Sequence, residues 1–164
     1  MKKSIIDELD EIKHLVIQYG EDRIVPDVDP IAEHKKTIGE KEMVWWAVLS
    51  AHDNIMAENK YKKLKKQIEE DIDTYAILSH KGEYHNAKIV DIKKFKEFGF
   101  PDKKNLLPDY YTDDHDAKVW LKFSSIEKAD ESTLNKFYKR SFQLKEFLER
   151  PGQKHPIMYI KKKD

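Results

Sequence analysis

The sequence predicts an α+β fold, in which a set of short strands builds the core and helices flank it. A hairpin pattern spans residues 73–92, where two apolar runs are separated by a turn at Gly82. Strict alternation of apolar and polar residues over 117–124 predicts a strand with one buried face. Helical periodicity over 53–70 and 133–149 predicts two flanking helices. At 164 residues the chain is long enough for one substantial core.

Composition and charge exclude several classes of protein. The chain is 39% hydrophobic and 11% aromatic, which argues against disorder. It has 31 basic and 31 acidic residues, so affinity for nucleic acid must come from a local patch or from recognition of a base. The lack of cysteine excludes disulfides and a thiol nucleophile and is compatible with the cytoplasm, where we expect the protein. No apolar stretch reaches about 18 residues, so we expect no membrane span.

The N-terminal region is predicted to hold a helix and a linker. A helix is expected over residues 4–19, with Ser4 as its N-cap. Its apolar face consists of Ile5, Leu9, Ile12 and Val16. Residues 20–42 contain no sustained periodicity and are interpreted as a loop. We therefore place a boundary between an N-terminal segment, 1–42, and the main domain, 43–164.

Two further strands and one long loop complete the main domain. A strand is predicted over 43–50 and a short final one over 157–161. Residues 95–116 form an irregular stretch, and a loop of this length is either functional or mobile. The chain ends in a lysine run that is typical of the start of a solvated linker.

Adjacent tryptophans open the first of these strands. Successive strand residues point to opposite faces, so Trp45 and Trp46 cannot both fill one core. We expect one of them to be buried and the other to lie in a cleft. An indole in a cleft can stack on a nucleobase, which favours a binding pocket over a catalytic centre.

The third tryptophan lies between two lysines on one face of the predicted strand 117–124. Trp120 shares that face with Lys118 and Lys122, while the other face is apolar. An indole between lysines can combine base stacking with neutralisation of phosphates. The alternative is that helix 133–149 or loop 95–116 covers this face and makes Trp120 a core residue.

Polar residues at strand ends offer hydrogen bonds to a base. Ser50 closes the first strand, and Ser79 and His80 close the first strand of the hairpin. If these ends converge, they can read the edge of a base between aromatic walls. They are also ordinary turn residues.

A lysine cluster on the helix 53–70 is the third candidate surface. Its members are Lys60, Lys62, Lys63, Lys65 and Lys66. They can contact phosphates without reading sequence, provided that the helix borders the aromatic cleft. Otherwise they form a solvated helix face.

Two patterns resemble enzyme sites and are not favoured. The run Asp113-Asp114-His115-Asp116 could bind a divalent metal, but no second ligand group matches it, and an exposed turn is the better interpretation. Pro26-Asp27 followed by Glu33-His34-Lys35 resembles a nuclease pattern, but the spacing is too short and neither half lies on a credible strand.

The order of the strands and their motifs resembles EVE domains, which are PUA-like β-barrels related to YTH and ASCH modules. The motifs are Trp45-Trp46-Ala47-Val48-Leu49-Ser50, the strand D-T-Y-A-I-L from Asp73, Val90-Asp91-Ile92, Val119-Trp120-Leu121 and Ser125-Ile126-Glu127. The first is similar to the family's opening Y-W-L-x-K-S-E, from which Leu49 and Ala51 depart. The resemblance covers residues 43–161.

This resemblance implies a closed, twisted barrel with an aromatic pocket that accepts a flipped, modified base. Trp46 and Ser50 match the opening motif, and Tyr75 and Trp120 match positions on later strands. In methylation-dependent restriction systems of the McrBC type, such domains lie at the N-terminus of a larger motor subunit. The lysine run at the end of this chain fits further domains or subunits on the C-terminal side.

The predicted fold is therefore α+β: a PUA-like (EVE-type) small mixed β-barrel with flanking helices, preceded by an N-terminal helix. The predicted function is non-enzymatic recognition of a modified base in DNA, methylated and flipped out of the duplex, by the specificity domain of a restriction or defence system. No cofactor or metal is expected. The expected base-binding residues are Trp45, Trp46, Ser50, Tyr75, Ser79, His80 and Trp120. The expected phosphate-binding residues are Lys60, Lys62, Lys63, Lys66, Lys118 and Lys122.

Three other functions remain open at this point. The first is an RNA-binding PUA-like module, which would share the aromatic cleft. The second is a small hydrolase of the ASCH kind, for which we find no lysine–carboxylate or threonine constellation. The third is a structural adaptor that uses helix 4–19 for oligomerisation.

Overall fold

The computed structural model describes residues 12–20, 22, 24–49, 55–101, 104–139, 142–149 and 157–162. The strands of these segments are β1 (His14–Gln18), β2 (Val44–Ala47), β3 (Thr74–His80), β4 (Glu83–Gly99), β5 (Ala117–Lys128), β6 (Phe137–Lys139), β7 (Phe142–Gln143) and β8 (Ile157–Lys162). The helices are α1 (Pro30–Lys41), α2 (Glu58–Glu69), α3 (Glu131–Leu134) and α4 (Leu144–Leu148), with a 3₁₀ turn over Lys104–Leu106. Within the described segments, none of these helices has the length and apolar character needed to cross a membrane.

The strands form one mixed sheet in the order β2-β5-β4-β3-β1-β8-β6-β7. The pair β1–β3 is parallel, and the other pairs are antiparallel. The predicted hairpin and the predicted strand from Ala117 are confirmed. Lys81 and Gly82 both have positive φ, 48° and 80°, as a two-residue turn that follows the twist of the strands requires.

Alternation along the strands divides the core between two faces of the sheet. The inner face carries Ala76 and Leu78 of β3, and the outer face carries Tyr75 and Ile77. The inner core includes residues of β1 to β5 and of the helices α1 and α2. On the outer face, α3, α4 and β6 cover one cluster, and the segment after β4 covers a second cluster around Trp45 and Trp120.

The predicted closed barrel is not observed in the described part of the chain. There, β2 and β7 are the two edges of the sheet, and no hydrogen-bonded ladder joins them. The inner faces of β1, β2 and β5 nevertheless contribute to one core, so the sheet curves around it. These strands are therefore in contact through their side chains, without a backbone ladder that closes the sheet.

The predicted N-terminal helix 4–19 is wrong at its C-terminal end. Residues 14–18 form β1, which lies between β3 and β8, while residues 1–11 fall outside the described residues. His14 to Ile17 are all buried, which is the pattern of a strand covered on both faces. Because β1 lies within the sheet, the predicted boundary at residue 42 is also wrong.

The predicted loop 20–42 contains the helix α1. Asp29 caps it, and its carboxylate accepts hydrogen bonds from the N–H groups of Ile31 and Ala32. Pro30 follows in the first turn, where its missing N–H is not needed. The Asp-Pro pair is a start signal that outweighs the weak apolar periodicity of this helix.

The predicted helix 133–149 is replaced by the elements α3, β6, β7 and α4. Leu134, Phe137 and Leu144 are buried, as the apolar stripe predicted. However, Phe137 lies on a strand that pairs with β8 at Lys162. This pairing satisfies backbone groups of β8 that a helix would leave unpaired.

Candidate nucleic-acid interface

All three tryptophans are buried. Their exposed fractions are 3% for Trp45, 4% for Trp46 and 0% for Trp120. The alternation argument holds, because Trp46 lies in the inner core and Trp45 in the outer cluster. The expectation that one of this pair faces an open cleft is wrong, since both faces of β2 are covered.

Trp120 is a core residue beneath the segment that follows β4. Its ring lies 5.6 Å from that of Phe100 and 6.0 Å from that of Tyr111. Its Nε1 donates hydrogen bonds to the carbonyl oxygens of Gly99 and Ala117, at 2.9 and 3.1 Å. The alternative in which the 95–116 region covers this face is therefore confirmed, and the indole presents no surface to a base in this conformation.

Tyr75 is enclosed on the outer face of β3. The His14 ring stacks on it at 5.6 Å, and the Phe137 ring meets it edge-on at 6.4 Å. The Lys162 ammonium lies 5.0 Å from the centre of the ring. These neighbours occupy the surfaces on which a base would stack, so the expected role of Tyr75 has no support in the geometry.

The polar strand ends are only partly brought together. Ser79 pairs with Tyr84 on the outer face, whereas His80 pairs with Glu83 on the inner face. Adjacent strand residues alternate, so Ser79 and His80 cannot serve the same pocket. Ser50 lies outside the described residues.

His80 instead meets Tyr19, a residue that the sequence analysis did not single out. Their rings stack at 4.9 Å with an interplanar angle of 22°. The Nδ1 of His80 donates to the carbonyl oxygen of Tyr19 at 2.9 Å. Tyr19 also meets Trp46 edge-on at 5.3 Å. Tyr19 and His80 are both part-exposed, so this stacked pair presents aromatic surface to solvent at this end of the sheet.

His34 of α1 closes the inner side of this group. Its ring is fully buried and lies 4.4 Å from that of Trp46. Nδ1 donates to the carbonyl oxygen of Pro30 at 2.6 Å, and Nε2 faces the Tyr111 hydroxyl at 3.3 Å. Burial lowers the pKa of His34 from 6.5 to about 4, so the ring is neutral at pH 7.

His85 of β4 adds a polar atom with no hydrogen-bond partner. It pairs with Leu78 on the inner face, diagonal to His80, where side chains are roughly 7–8 Å apart. Its Nδ1 is buried and has no hydrogen-bond partner among the described residues. Burial is the main cause of its lowered pKa, followed by Lys35, and a neutral imidazole has one donor and one acceptor nitrogen.

We call Tyr19, His34, Trp46, His80 and His85 the Tyr19 cluster. The carboxylates of Asp29 and Glu83 act on both Tyr19 and His85, which places these two residues at the same end of the sheet. Burial, with these carboxylates, raises the pKa of Tyr19 to about 12. The cluster thus combines a stacked aromatic pair, an unsatisfied ring nitrogen and a buried indole.

The run Asp113–Asp116 has a structural role. His115 is fully buried, its Nε2 lies 2.9 Å from the Asp22 carboxylate, and its ring stacks on Tyr111 at 4.5 Å. The Tyr111 hydroxyl accepts from the Ala47 N–H at 3.0 Å and faces His34. The described residues contain no group of three ligands that could hold a metal ion. These contacts reach the Tyr19 cluster through Tyr111 and His34.

Comparison with known families gives one result. The family model described as Pua-like matches residues 16–161. The chain belongs to the Pua-like family. Comparison with curated proteins and with solved structures finds no significant match. Pua-like domains generally bind nucleic acids, and the finer EVE resemblance stays a prediction.

Two lysines of α2 contact residues outside the Tyr19 cluster of this Pua-like domain. Lys65 forms an ion pair with Asp91 at 2.8 Å, and the Lys60 ammonium lies 5.2 Å from the Tyr159 ring. The helix packs where β4 approaches Asp91 and Ile92, whereas His80 and Glu83 mark the other end of the hairpin. Lys62 and Lys66 are exposed, and Lys63 is part-exposed. The expectation that this helix borders the aromatic site therefore stays a prediction.

The buried histidines predict that the Pua-like domain loses stability in mild acid. Burial lowers the pKa of His34 and of His14 to about 4, from 6.5 in each case. Below pH 6.5 the unfolded chain takes up protons that the folded chain excludes until about pH 4, so stability falls across this interval. At pH 5 each histidine is expected to lower the free energy of unfolding by about 2 kcal/mol relative to pH 7.

Urea unfolding at pH 7 and pH 5 measures this effect. His34→Gln removes one of the two histidines with the largest shifts, so it should reduce the difference between the two pH values by about 2 kcal/mol. An equal free energy of unfolding at both pH values in the unmodified protein contradicts the prediction.

Proposed function

We propose that this Pua-like domain recognises a modified base in DNA that is flipped out of the duplex, and that the Tyr19 cluster is the base-binding site. The observation that carries the proposal is the buried Nδ1 of His85, which has no partner among the described residues and lies diagonal to His80. A buried polar atom without a partner is destabilising, and a base edge that bonds to it removes this penalty. Family membership supports nucleic acid as the ligand.

Stacking supplies the larger part of the proposed affinity. A base on the Tyr19–His80 pair gains about 1–3 kcal/mol per stacked contact. Trp46 lies edge-on behind Tyr19 and holds the ring in place. Flipping costs a few kcal/mol and is cheapest for a damaged or mismatched base, so stacking and the hydrogen bond to His85 must together exceed that cost.

The carboxylates beside Tyr19 favour a neutral base over a phosphate at that ring, whereas Lys35 and Lys128 act on His85. Asp29 and Glu83 act on Tyr19, and their carboxylates repel a phosphate group at this position. A neutral heterocycle meets no such penalty. Contacts with the sugar–phosphate backbone are therefore expected elsewhere on the domain.

The proposed role is binding, without a cofactor, in the cytoplasm. The modified base would mark DNA for a restriction or defence system in which other domains or subunits perform the reaction. The EVE resemblance supports this setting.

A binding assay with matched probes tests the proposal. Duplexes of one sequence carry 5-methylcytosine, 6-methyladenine or no modification, and a matched RNA serves as a fourth probe. We expect one modified duplex to bind more tightly than the others. His85→Ala should reduce that preference about fivefold to tenfold, since a lost hydrogen bond is worth about 1 kcal/mol or slightly more.

Asn86→Ala is the matched control. Asn86 is the next residue of β4, its Oδ1 is also buried without a partner in the described chain, and it faces the outer side. Equal binding of all DNA probes, or equal effects of the two substitutions, contradicts the proposal. Tighter binding of the RNA probe would assign the site to RNA.

A further inference from the structure

The outer face of β4 and β5 carries a group of lysines around the buried Trp120. Lys93 lies directly opposite Trp120, and Lys118 and Lys122 lie two residues to either side of it. All three therefore share one face of the sheet. The Lys122 ammonium lies 5.1 Å from the ring of Trp45.

An exposed aromatic ring lies beside one of these lysines, Lys118. The pairing of β4 with β5 shifts register between Lys94 and Gly99, so the residues between them bulge from the ladder. Phe98, within this bulge, is 51% exposed. The Lys118 ammonium lies 5.0 Å from the centre of its ring. A large apolar side chain is thus held in solvent next to cations.

We propose that Phe98, Lys93, Lys118 and Lys122, here called the Phe98 surface, bind an unpaired strand of nucleic acid. Phe98 stacks on one base, and the lysines neutralise the neighbouring phosphates. The inference rests on the proposed nucleic-acid binding and adds a second contact region. It provides the backbone contacts that the carboxylates near the Tyr19 cluster disfavour.

The charged residues around Phe98 favour a polyanion as the ligand. The charged residues of 91–98 and 116–122 are Asp91, Lys93, Lys94, Lys96, Glu97, Asp116, Lys118 and Lys122, five cations against three anions. Lys94 forms an ion pair with Glu58 and Asp91 forms one with Lys65, each at 2.8 Å, so both of these residues pair with α2. A polyanion with planar bases matches this combination better than an apolar protein surface does.

Fluorescence anisotropy with a labelled single-stranded oligonucleotide tests the Phe98 surface. Phe98→Ala is expected to weaken binding about tenfold, and Lys118→Ala to lower the slope of log affinity against log salt by about one. Ile12→Ala removes another exposed apolar side chain, and Lys66→Ala removes an exposed lysine of α2, so both serve as controls.

The outcomes separate the two proposals. Binding by the unmodified protein that Phe98→Ala leaves unchanged overturns the Phe98 surface. The Phe98 surface is also overturned if Lys66→Ala lowers the slope of log affinity against log salt and Lys118→Ala does not. That result would assign the phosphate contacts to α2. If Phe98→Ala weakens binding of modified and unmodified probes equally while His85→Ala alters only the preference, both proposals are supported. Failure of every probe to bind the unmodified protein overturns the proposed function itself.

Discussion

Trp120→Ala is expected to lower the free energy of unfolding by about 3–5 kcal/mol, as for other large-to-small substitutions in a core. The side chain is fully buried, and both hydrogen bonds from Nε1 are lost. Its removal leaves a cavity between β5 and the segment that carries Phe100 and Tyr111. Urea unfolding at pH 7 measures the change.

Trp120→Phe is the control, because it keeps most of the buried area while it loses the hydrogen bonds from Nε1. We expect its stability to lie between those of the other two proteins. At a temperature where Trp120→Ala is still folded, the affinity of this variant for DNA should match that of the wild-type protein. A variant of normal stability that has lost DNA binding would contradict the core role and return the indole to the binding site.

Asp22→Ala is expected to lower the free energy of unfolding by about 3 kcal/mol. The carboxylate lies 2.9 Å from the Nε2 of His115 and accepts the N–H groups of Ile24 and Val25, each at 2.8 Å. Hydrogen bonds to a charged group are worth more than neutral ones, and His115 would keep a buried nitrogen without a partner. Thermal and urea unfolding both report this loss.

A surface aspartate provides the comparison. Asp109 forms an exposed ion pair with Lys36 at 3.3 Å, and such pairs contribute about 0–1 kcal/mol. Asp109→Ala should therefore change stability by less than about 1 kcal/mol. Similar effects of the two substitutions would show that the contact between Asp22 and His115 contributes little to the fold.

Strong local signals predicted the elements that the structure confirms. The hairpin of β3 and β4 needed only two apolar runs and a turn at Gly82, and β5 needed only strict alternation. The periodicity from Tyr61 to Ile68 likewise predicted the main part of α2. In each case the preference of the segment agrees with its place in the fold.

Segments with weaker signals were decided by their neighbours. Val16 fits a helical stripe, yet it lies in a central strand because β3 and β8 pair with both sides of β1. Phe137 also fits a helical stripe, but it extends the sheet at β8. Pairing partners distant in sequence provide hydrogen bonds that local periodicity does not report.

The candidate site was predicted in its chemistry and only partly in its residues. Aromatic rings and polar strand ends were expected together, and His80 and Trp46 are found in the same cluster. Tyr19 and His85 join them through the parallel pairing of β1 and the register of β4. Tyr19 and His80 are 61 positions apart in the sequence, so local patterns do not predict their contact.

Local sequence predicts which strands alternate, where the hairpin turns and which residues are apolar enough to be buried. It does not predict which faces of those strands remain open to solvent. Alternation fixes the face on which a side chain lies, but whether a distant segment covers that face depends on long-range packing. Trp120 is buried because the chain after β4 folds over it, while Phe98, near the end of β4, stays exposed.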